Sequence, residues 1–420
     1  MSGPVTVRQA VLDLLRQRGI DTVFGNPGST ELGFLERWPE DIRYVLGLQE
    51  ASVVGMADGY ARATGRAAFV NLHSAAGLGH ALGNLFTAWK NQAPMVITAG
   101  QQARALLPNF PFLGASDAAA FPRPYVKFSV EPARAEDVPA AIAQAFHLAE
   151  QRPCGPCFVS IPSDDWNAPC APLPPRRVAR DTAPDPALLR EVAQALSAAR
   201  NPVLVVGPEV DEEGAGPSLV ALAERLRAPV LASPFAARIA FPEDHPLFAG
   251  FLAAAPQAVS AALAPHDVVL VLGAPVFTFH VPGEATIFRD GTTILHLSAD
   301  GESAASAPAG LSVRGSLRLA LPALAALLPE AERARRRAPR PAPPEPASPI
   351  PADYLLHRLH RAMPEDAILV EEAPSHRPAM QARMPRNRWG SFFMASGGRA
   401  TGCRGRSASR WAGRGSGWSA

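Results

Sequence analysis

The sequence predicts an α/β protein made of doubly wound parallel-sheet domains. Two observations lead to this prediction. Short apolar runs rich in Val, Ile and Leu, each bounded by Gly or Pro, alternate with longer segments whose apolar residues recur at helical spacing. Because strands of a parallel sheet are buried on both faces, they are continuous apolar runs rather than alternating ones.

The composition is that of a globular protein of two or three domains. The chain has 420 residues, of which 47% are apolar and 19% charged, and this excludes wholesale disorder. The 40 basic and 38 acidic side chains nearly cancel to +2, which gives no electrostatic indication of nucleic-acid or membrane binding. No long apolar run or apolar signal core is present, so we expect a cytoplasmic protein.

Residues 1–171 show the clearest alternation of helix and strand. Apolar residues from Val7 to Leu15 share one helical face, and Gly19 is placed to end that helix. A small-residue turn is expected at His73–Gly79. The other elements predicted in this block are a strand at 20–24, a helix at 50–62, a strand at 67–72, a helix ending near Trp89 and a strand at 95–98.

Residues 187–329 repeat this pattern and indicate a central Rossmann-like domain. Its predicted elements are a helix at 188–198 and strands at 202–207, 228–232, 267–273 and 293–298. No G-x-G-x-x-G sequence opens a helix after Gly207, where Pro208-Glu209-Val210 stands instead. A dinucleotide site is therefore weakly supported.

Two Pro- and Arg-rich segments, 172–186 and 330–351, are predicted to be extended connectors, since proline at that density blocks both helices and sheet ladders. Beyond the second connector, residues 352–398 begin another alternation, with a helix at 352–363 and a strand at 367–371. Residues 399–420 form a basic tail that fits no globular pattern.

The four cysteines are too few for a disulfide framework in a chain of this length. Cys154-Gly155-Pro156-Cys157 matches the C-x-x-C spacing of a redox site, but that chemistry requires a thiolate at a helix N-terminus. Cys157 instead leads into an apolar, β-rich run closed by Pro162. We therefore interpret the motif as a turn that enters a buried strand.

Polar residues follow several predicted strands, where parallel sheets bind ligands. Gly25–Ser29 and His73–Gly79 are two such segments, and the turn after Gly273 is a third. Glu50 opens the next predicted helix, and by itself it could be only a partner of the helix dipole.

Each of the other candidates also has a structural alternative. Ser29 could cap the short helix that follows it. A lone histidine in the position of His73 or His280 could be a hydrogen-bonded structural group. His80 is interpreted as helix surface or pocket wall, and the apolar segment 106–113 either as the wall of an aromatic-substrate pocket or as ordinary core.

Taken together, these segments resemble the thiamine-diphosphate-dependent 2-oxo acid decarboxylases, and within that family the benzoylformate decarboxylase branch. The resemblance runs from about Val5 to Gly398. The segments that support it are Gly25-Asn26-Pro27-Gly28-Ser29, Gln49-Glu50-Ala51, Ala57-Asp58-Gly59-Tyr60-Ala61, Asn71-Leu72-His73-Ser74-Ala75-Ala76-Gly77, Thr98-Ala99-Gly100-Gln101-Gln102, Phe121-Pro122-Arg123-Pro124 and Gly273-Ala274-Pro275-Val276-Phe277. It implies that residues 1–171 form a pyrimidine-binding domain and that the intact enzyme is a homodimer or homotetramer acting in mandelate degradation.

The resemblance also implies a role for each candidate residue. Glu50 would bond the cofactor's pyrimidine ring and activate it, with Asn26, Pro27 and Gly28 as further cofactor-binding residues. His73 and His280 would move protons near neutral pH, for which histidine is suited. Ser29 would bind the substrate carboxylate.

The family holds the diphosphate through a divalent ion, usually Mg²⁺, in a third domain, and carboxylate and phosphate oxygens suit that ion. No motif for the ion follows Pro351, so we expect the third domain to be largely missing and the chain to be inactive on its own. Arg399–Ala420 has five Arg and no acidic residue. Back-translation with a one-base shift gives Gly-Tyr-Gly-Leu-Pro, as the family would have, so we hypothesise a frameshift.

Two alternatives remain open at this stage. The first is a thiamine-diphosphate carboligase of the acetolactate synthase type, although the pair His73 and His280 argues against it. The second is a non-catalytic remnant that keeps the fold but binds neither cofactor nor metal.

Overall fold

The computed structural model describes residues 3–331, 342 and 344–394. The chain divides into two compact units, Met1–Arg180 and Asp181–Met394. The tail predicted at 399–420 and most of the connector centre lie outside the described residues.

The first unit is built on a six-stranded parallel sheet with strand order β3-β2-β4-β5-β7-β6. A short antiparallel pair, β1 with β8, lies outside it. The strands are β1 (Val5–Thr6), β2 (Thr22–Asn26), β3 (Arg43–Leu46), β4 (Ala68–Leu72), β5 (Met95–Gln101), β6 (Phe128–Val130), β7 (Pro156–Pro162) and β8 (Pro169–Cys170).

Helices cover both faces of this sheet, because alternate side chains of the buried strands point to opposite faces. Val23, Phe69 and Val96 belong to the core on one face, together with α1 and α5. Val70 and Ile97 belong to the core on the other face, together with α3 and α4. The helices are α1 (Val7–Gln17), α2 (Leu32–Leu35), α3 (Glu50–Thr64), α4 (Ser74–Lys90) and α5 (Val138–Glu150).

The second unit contains another six-stranded parallel sheet, with strand order β11-β10-β9-β12-β13-β14. β15 and β16 form a separate parallel pair. The strands are β9 (Val203–Val206), β10 (Val230–Ala232), β11 (Phe248–Phe251), β12 (Val268–Leu272), β13 (Thr293–Ser298), β14 (Leu311–Arg314), β15 (Leu369–Glu371) and β16 (Phe392–Met394).

The helices of the second unit include two from the region 344–394, which packs on the central sheet domain. The backbone N–H of Gly390 donates to Asp211 Oδ1 at 2.8 Å, and the ring of Trp389 lies against Gly216. The helices are α6 (Pro186–Ala198), α7 (Glu209–Glu212), α8 (Gly216–Leu226), α9 (Pro256–Leu263), α10 (Gly301–Ala305), α11 (Leu317–Ala326), α12 (Ala352–Ala362) and α13 (Arg377–Arg383).

The predicted fold class, doubly wound parallel-sheet α/β, is confirmed. One local prediction is wrong: residues 73–79 do not form a turn, because α4 begins at Ser74, directly after His73. The prediction that Cys154–Cys157 is a turn entering a buried strand agrees with the structure, since β7 begins at Pro156 and Cys157 is fully buried. Among the described residues, no helix is long and apolar enough to cross a membrane.

Candidate active site

The loop after β2 and the residue after β4 meet at one point of the first sheet. β2 lies between β3, which follows it in the chain, and β4, so the chain order reverses between β2 and β4. Asn26 pairs in register with Leu72, which brings Pro27 and Gly28 beside His73. Such switch points at the carboxyl ends of parallel strands are where α/β proteins bind ligands.

Gly28 is required by this close approach. A Cβ at Gly28 would come within 2.3 Å of His73 Nδ1 and within 2.6 Å of two ring carbons. The φ of Gly28 is −131°, so the need for glycine is steric contact and not backbone strain. Any side chain here would displace the imidazole.

A buried carboxylate, that of Glu31, holds this cluster together. Glu31 is 1% exposed and lies in the 3₁₀ turn Ser29–Glu31 that follows β2. Its Oε2 accepts from the Gly28 N–H at 2.7 Å and lies 2.9 Å from His73 Nδ1. The donors to its Oε1 are the Thr30 hydroxyl at 2.7 Å, the Gly100 N–H at 2.8 Å and the Ser74 N–H at 3.4 Å.

The turn from His73 into α4 is sharp. Ser74 has φ +40°, which is a strained conformation for a residue with a side chain, and it is fully buried. Its N–H points at Glu31, so the same carboxylate supports both the strained turn and the imidazole.

A hydrogen-bonded network links the strand ends around this cluster. The Tyr44 hydroxyl donates to Asn71 Oδ1 at 3.1 Å, and the Asn71 amide donates to the Thr98 hydroxyl at 3.2 Å. Burial, reinforced by the nearby Glu31 charge, raises the pKa of Tyr44. The phenol therefore stays protonated and acts as a donor that ties β3 to β4.

Glu50 is the first residue of α3 and is 8% exposed. The helix is capped by the side chain of Gln49, which accepts from the Ser52 N–H at 3.0 Å, so the Glu50 carboxylate is not needed as the cap. Gly77 of α4 lies against Oε1, where an added Cβ would stand 3.2 Å away. Within the described residues no group hydrogen-bonds Oε1, which leaves that oxygen available to a ligand.

His80 lies on the exposed surface of α4, in agreement with its interpretation as helix surface or pocket wall. Its side chain is 68% exposed, yet its Nδ1 lies 3.2 Å from Glu50 Oε2. A residue one turn beyond Gly77 on α4 therefore contacts the candidate cofactor-activating carboxylate.

Ser29 is exposed, and its hydroxyl forms no hydrogen bond with any described residue. Its alternative interpretation as a helix cap is not what the structure shows, since Gly28 occupies the cap position and bonds to Glu31. Asn26 ends β2, and Asn26, Pro27 and Gly28 are partly exposed.

His280 lies in the second unit, in the loop that follows β12, and it is exposed. Its backbone N–H donates to the carbonyl of Ala254 at 3.0 Å, and its ring lies edge-on to Phe235 with centroids 6.1 Å apart. The described residues contain no group of three or more His, Cys, Asp or Glu side chains placed to hold a metal ion.

Sequence reasoning did not identify Glu31 as a site residue. Its signal was the acidic side chain three residues after Gly28, a spacing typical of a carboxylate that reaches back to the backbone at a helix start. The spacing indicates the Gly28 bond but not the contact with His73, which lies 42 residues further along the chain.

Residues 5–121 match the family described as thiamine pyrophosphate enzyme, N-terminal TPP binding domain, and residues 189–324 match the central domain of the same enzymes. Benzoylformate decarboxylase of Pseudomonas aeruginosa is 44% identical over 399 residues, covering 94% of this chain and 76% of its own.

A solved structure of benzoylformate decarboxylase from Polynucleobacter necessarius superimposes with a TM-score of 0.94 at 40% identity, covering 97% of this chain and 77% of its own. The acetolactate synthase of Mycobacterium bovis is more distant, at 30% identity over 338 residues, and the chain spans 53% of its length. The chain therefore belongs to the thiamine-diphosphate-dependent decarboxylase family, in which benzoylformate decarboxylase is its homologue.

Proposed function

We propose that this chain carries the pyrimidine-binding half of an active site that decarboxylates an aromatic 2-oxo acid, such as benzoylformate, to the aldehyde and CO₂. The observation that supports this most is Glu50, a buried carboxylate at a helix start that another residue caps. The similarity to the two benzoylformate decarboxylases supports the substrate class.

The residues present fit the pyrimidine ring of thiamine diphosphate. Oε1 of Glu50 has no hydrogen-bond partner among the described residues, and the absence of a side chain at Gly77 keeps the space beside it open. When bound, the cofactor would supply a nucleophilic carbon and a sink for the electrons released with CO₂. Glu50 would hold a proton on the pyrimidine ring.

The other residues bind the substrate or move protons in this proposal. His73 and His280 exchange protons with the reacting groups, and the Ser29 hydroxyl, which no described residue engages, donates to the substrate carboxylate. Phe110 and Phe112 are 87% and 89% exposed, so segment 106–113 is not ordinary core, and its aromatic rings are available to wall an aromatic substrate.

Asn26, Pro27 and Gly28 contribute a rigid backbone edge beside the ring in this proposal. Mg²⁺ is proposed as the second cofactor, although the described residues contain no group of three or more His, Cys, Asp or Glu side chains placed to hold it. A homodimer or homotetramer is proposed as the working assembly.

The test measures cofactor binding and turnover separately. Calorimetry would titrate thiamine diphosphate with Mg²⁺ into the 420-residue chain, and turnover would be assayed in a fusion that extends residue 394 with the C-terminal segment of the Pseudomonas aeruginosa homologue. We expect the fusion to release benzaldehyde and CO₂ from benzoylformate. Glu50→Gln should lower kcat/KM by about 10²–10⁴-fold, as for loss of a proton-transfer group.

Glu209→Gln is the matched control, because it makes the same change at a buried glutamate of the second unit. It should leave kcat/KM within about twofold of the parent. Consumption of pyruvate with formation of a new carbon–carbon bond would replace the proposal with carboligation. A fusion that folds but neither binds the cofactor nor turns over would support a non-catalytic remnant.

A further inference from the structure

We propose that Glu31 is a positioning residue that fixes the His73 imidazole with its proton on Nδ1, so that Nε2 is the nitrogen that exchanges protons with the substrate. The inference deepens the proposed function, on which it rests for the role of His73. The Glu31–His73 contact and the position of the ring proton do not depend on that role and can be tested separately.

The Glu31 carboxylate is held in place beside His73 by the groups around it. Glu31 is almost fully buried, and three backbone N–H groups from three different parts of the chain point at its oxygens. Those donors follow β2, begin α4 and lie within β5. Because backbone groups from these three places hold both of its oxygens, the Glu31 carboxylate is kept facing His73.

The same donors determine which atom carries the proton. Peptide N–H groups cannot act as acceptors, so Glu31 accepts at both oxygens. A carboxylate oxygen 2.9 Å from Nδ1 then requires that Nδ1 donate. The Thr30 hydroxyl, which donates to Glu31, lies 3.1 Å from the same nitrogen and can accept from it.

The position of this proton determines the state of the other ring nitrogen, Nε2. With Nδ1 committed to Glu31, a neutral His73 carries its lone pair on Nε2, and no described residue hydrogen-bonds that atom. The His73 side chain is 22% exposed, so the ring is held yet still reachable. Nε2 is therefore the position from which a proton can be accepted or returned, as in other carboxylate–histidine pairs.

Glu31→Gln changes this arrangement in a predictable way. Within the described part of the chain, Oε1 of Glu31 faces three donors and Oε2 faces only Gly28 and His73, so the new NH₂ group should take the Oε2 side. An amide NH₂ next to Nδ1 makes that nitrogen an acceptor, and the imidazole proton moves to Nε2. The variant keeps the shape of the side chain and reverses the tautomer.

The direct readout is ¹⁵N NMR of histidine-labelled 420-residue chain without cofactor, with the His73 signals assigned by their loss in His73→Gln. At a pH where His73 is neutral, we expect two-bond couplings that identify protonated Nδ1 and bare Nε2 in the parent, and the opposite pattern in Glu31→Gln. Parent protein with the proton on Nε2 would overturn the proposal, whether or not the variant folds.

Kinetics of the fusion give the second readout. Glu31→Gln should lower kcat for decarboxylation by about 10²–10⁴-fold with little change in KM, because a reversed tautomer removes the proton acceptor without removing a substrate contact. Glu209→Gln is the matched control and should leave both the His73 tautomer and kcat unchanged. A reversed tautomer with full activity would overturn the catalytic part of the inference.

The two proposals fail in distinguishable ways. If the parent shows protonated Nδ1 but the fusion turns over no 2-oxo acid, the proposed function fails and the Glu31–His73 geometry stands. If the fusion turns over benzoylformate but the parent shows protonated Nε2, the proposed function stands and the positioning role fails.

Discussion

The two sheets of this chain place a buried glutamate at the same topological point but use it differently. In the first unit, Glu31 follows β2, where the strand order reverses, and in the second, Glu209 follows β9 at the corresponding reversal. Glu31 contacts an imidazole that is partly open to solvent. Among the described residues, Glu209 accepts only from the Ser298 hydroxyl at 2.6 Å and the Ala299 N–H at 3.0 Å, both at the end of β13.

The close approaches at the two switch points differ as well. A Cβ at Gly28 would meet a side chain, the His73 ring, whereas a Cβ at Gly207 would meet the backbone carbonyl of Gly273 at 2.2 Å. The first unit thus has an imidazole ring at the point where the second packs backbone against backbone. One fold can place a ligand-binding or a purely structural cluster at its switch point, and the side chains decide which.

The largest expected effects are those of alanine substitutions at Gly28 and Gly207, which should differ in kind. Gly28→Ala should lower kcat/KM of the fusion by about 10²-fold or more, because the displaced His73 loses its position, while the thermal midpoint changes little. Gly207→Ala should instead destabilise the second unit by about 1–3 kcal/mol, because its neighbour is backbone that cannot rotate away. Enzyme assays measure the loss of kcat/KM, and thermal melts measure the loss of stability. Equal stability losses in the two variants would contradict the proposed difference between the two switch points.

The next effect is the pH dependence of the second unit. Burial raises the pKa of Glu209 from 4.5 to about 7, because its two hydrogen bonds only partly offset desolvation. Because the pKa of Glu209 is higher in the folded state, the stabilisation that its protonated form contributes is complete below about pH 4.5. This contribution is lost as the pH rises through about 7. Glu209→Gln should abolish this loss.

Hydrogen exchange of peptides from β9 and β13 at several pH values measures this dependence. We expect opening of these strands to become easier in the parent between about pH 5 and pH 8, and the Glu209→Gln curve to be flatter. Identical pH profiles for parent and variant would contradict a role for Glu209 ionisation in the second switch point.

A smaller effect tests the network beside the first switch point. Tyr44→Phe removes the donor to Asn71 Oδ1 and should cost about 1 kcal/mol of stability in the first unit. Ser298→Ala makes the corresponding change in the second unit, where it removes a donor to Glu209. Local hydrogen exchange around β4 and around β13 compares the two, and a Tyr44→Phe variant with exchange unchanged at β4 would refute the tie between the strand ends.

The smallest effect is an expected absence of reaction. Burial in β7 raises the pKa of the Cys157 thiol to about 12, so iodoacetamide at about pH 8 should leave it unmodified in the native protein. Cys154, which is only half-buried, should react faster. Peptide mass spectrometry gives both rates, and rapid labelling of Cys157 would reopen the redox interpretation of the C-x-x-C sequence.

The order of the elements could be predicted because helices and buried strands have different local patterns of apolar residues. The helix beginning at Val7 and the strand at Thr293–Ser298 both appear where the pattern placed them. The predicted turn at 73–79 was wrong because glycine and alanine alone do not distinguish a loop from a helix whose small residues let it pack closely. Gly77 has that function here, since it lies against Glu50.

The candidate residues could be nominated from motif and position, but their partners could not. The Glu31–His73 contact joins residues 42 positions apart and exists only because β2 and β4 pair in one register. His80 is on the helix surface, as interpreted, but helical spacing from Gly77 does not reveal its contact with Glu50 of another helix.

By itself, the sequence determined the fold class, the alternation of helix and strand, and the residue types placed at strand ends, because local periodicity and turn chemistry act over short distances. The tertiary structure decided which of those residues meet. Strand register and the reversal of strand order set those contacts, and they brought a buried carboxylate to one nitrogen of His73 while leaving the other available.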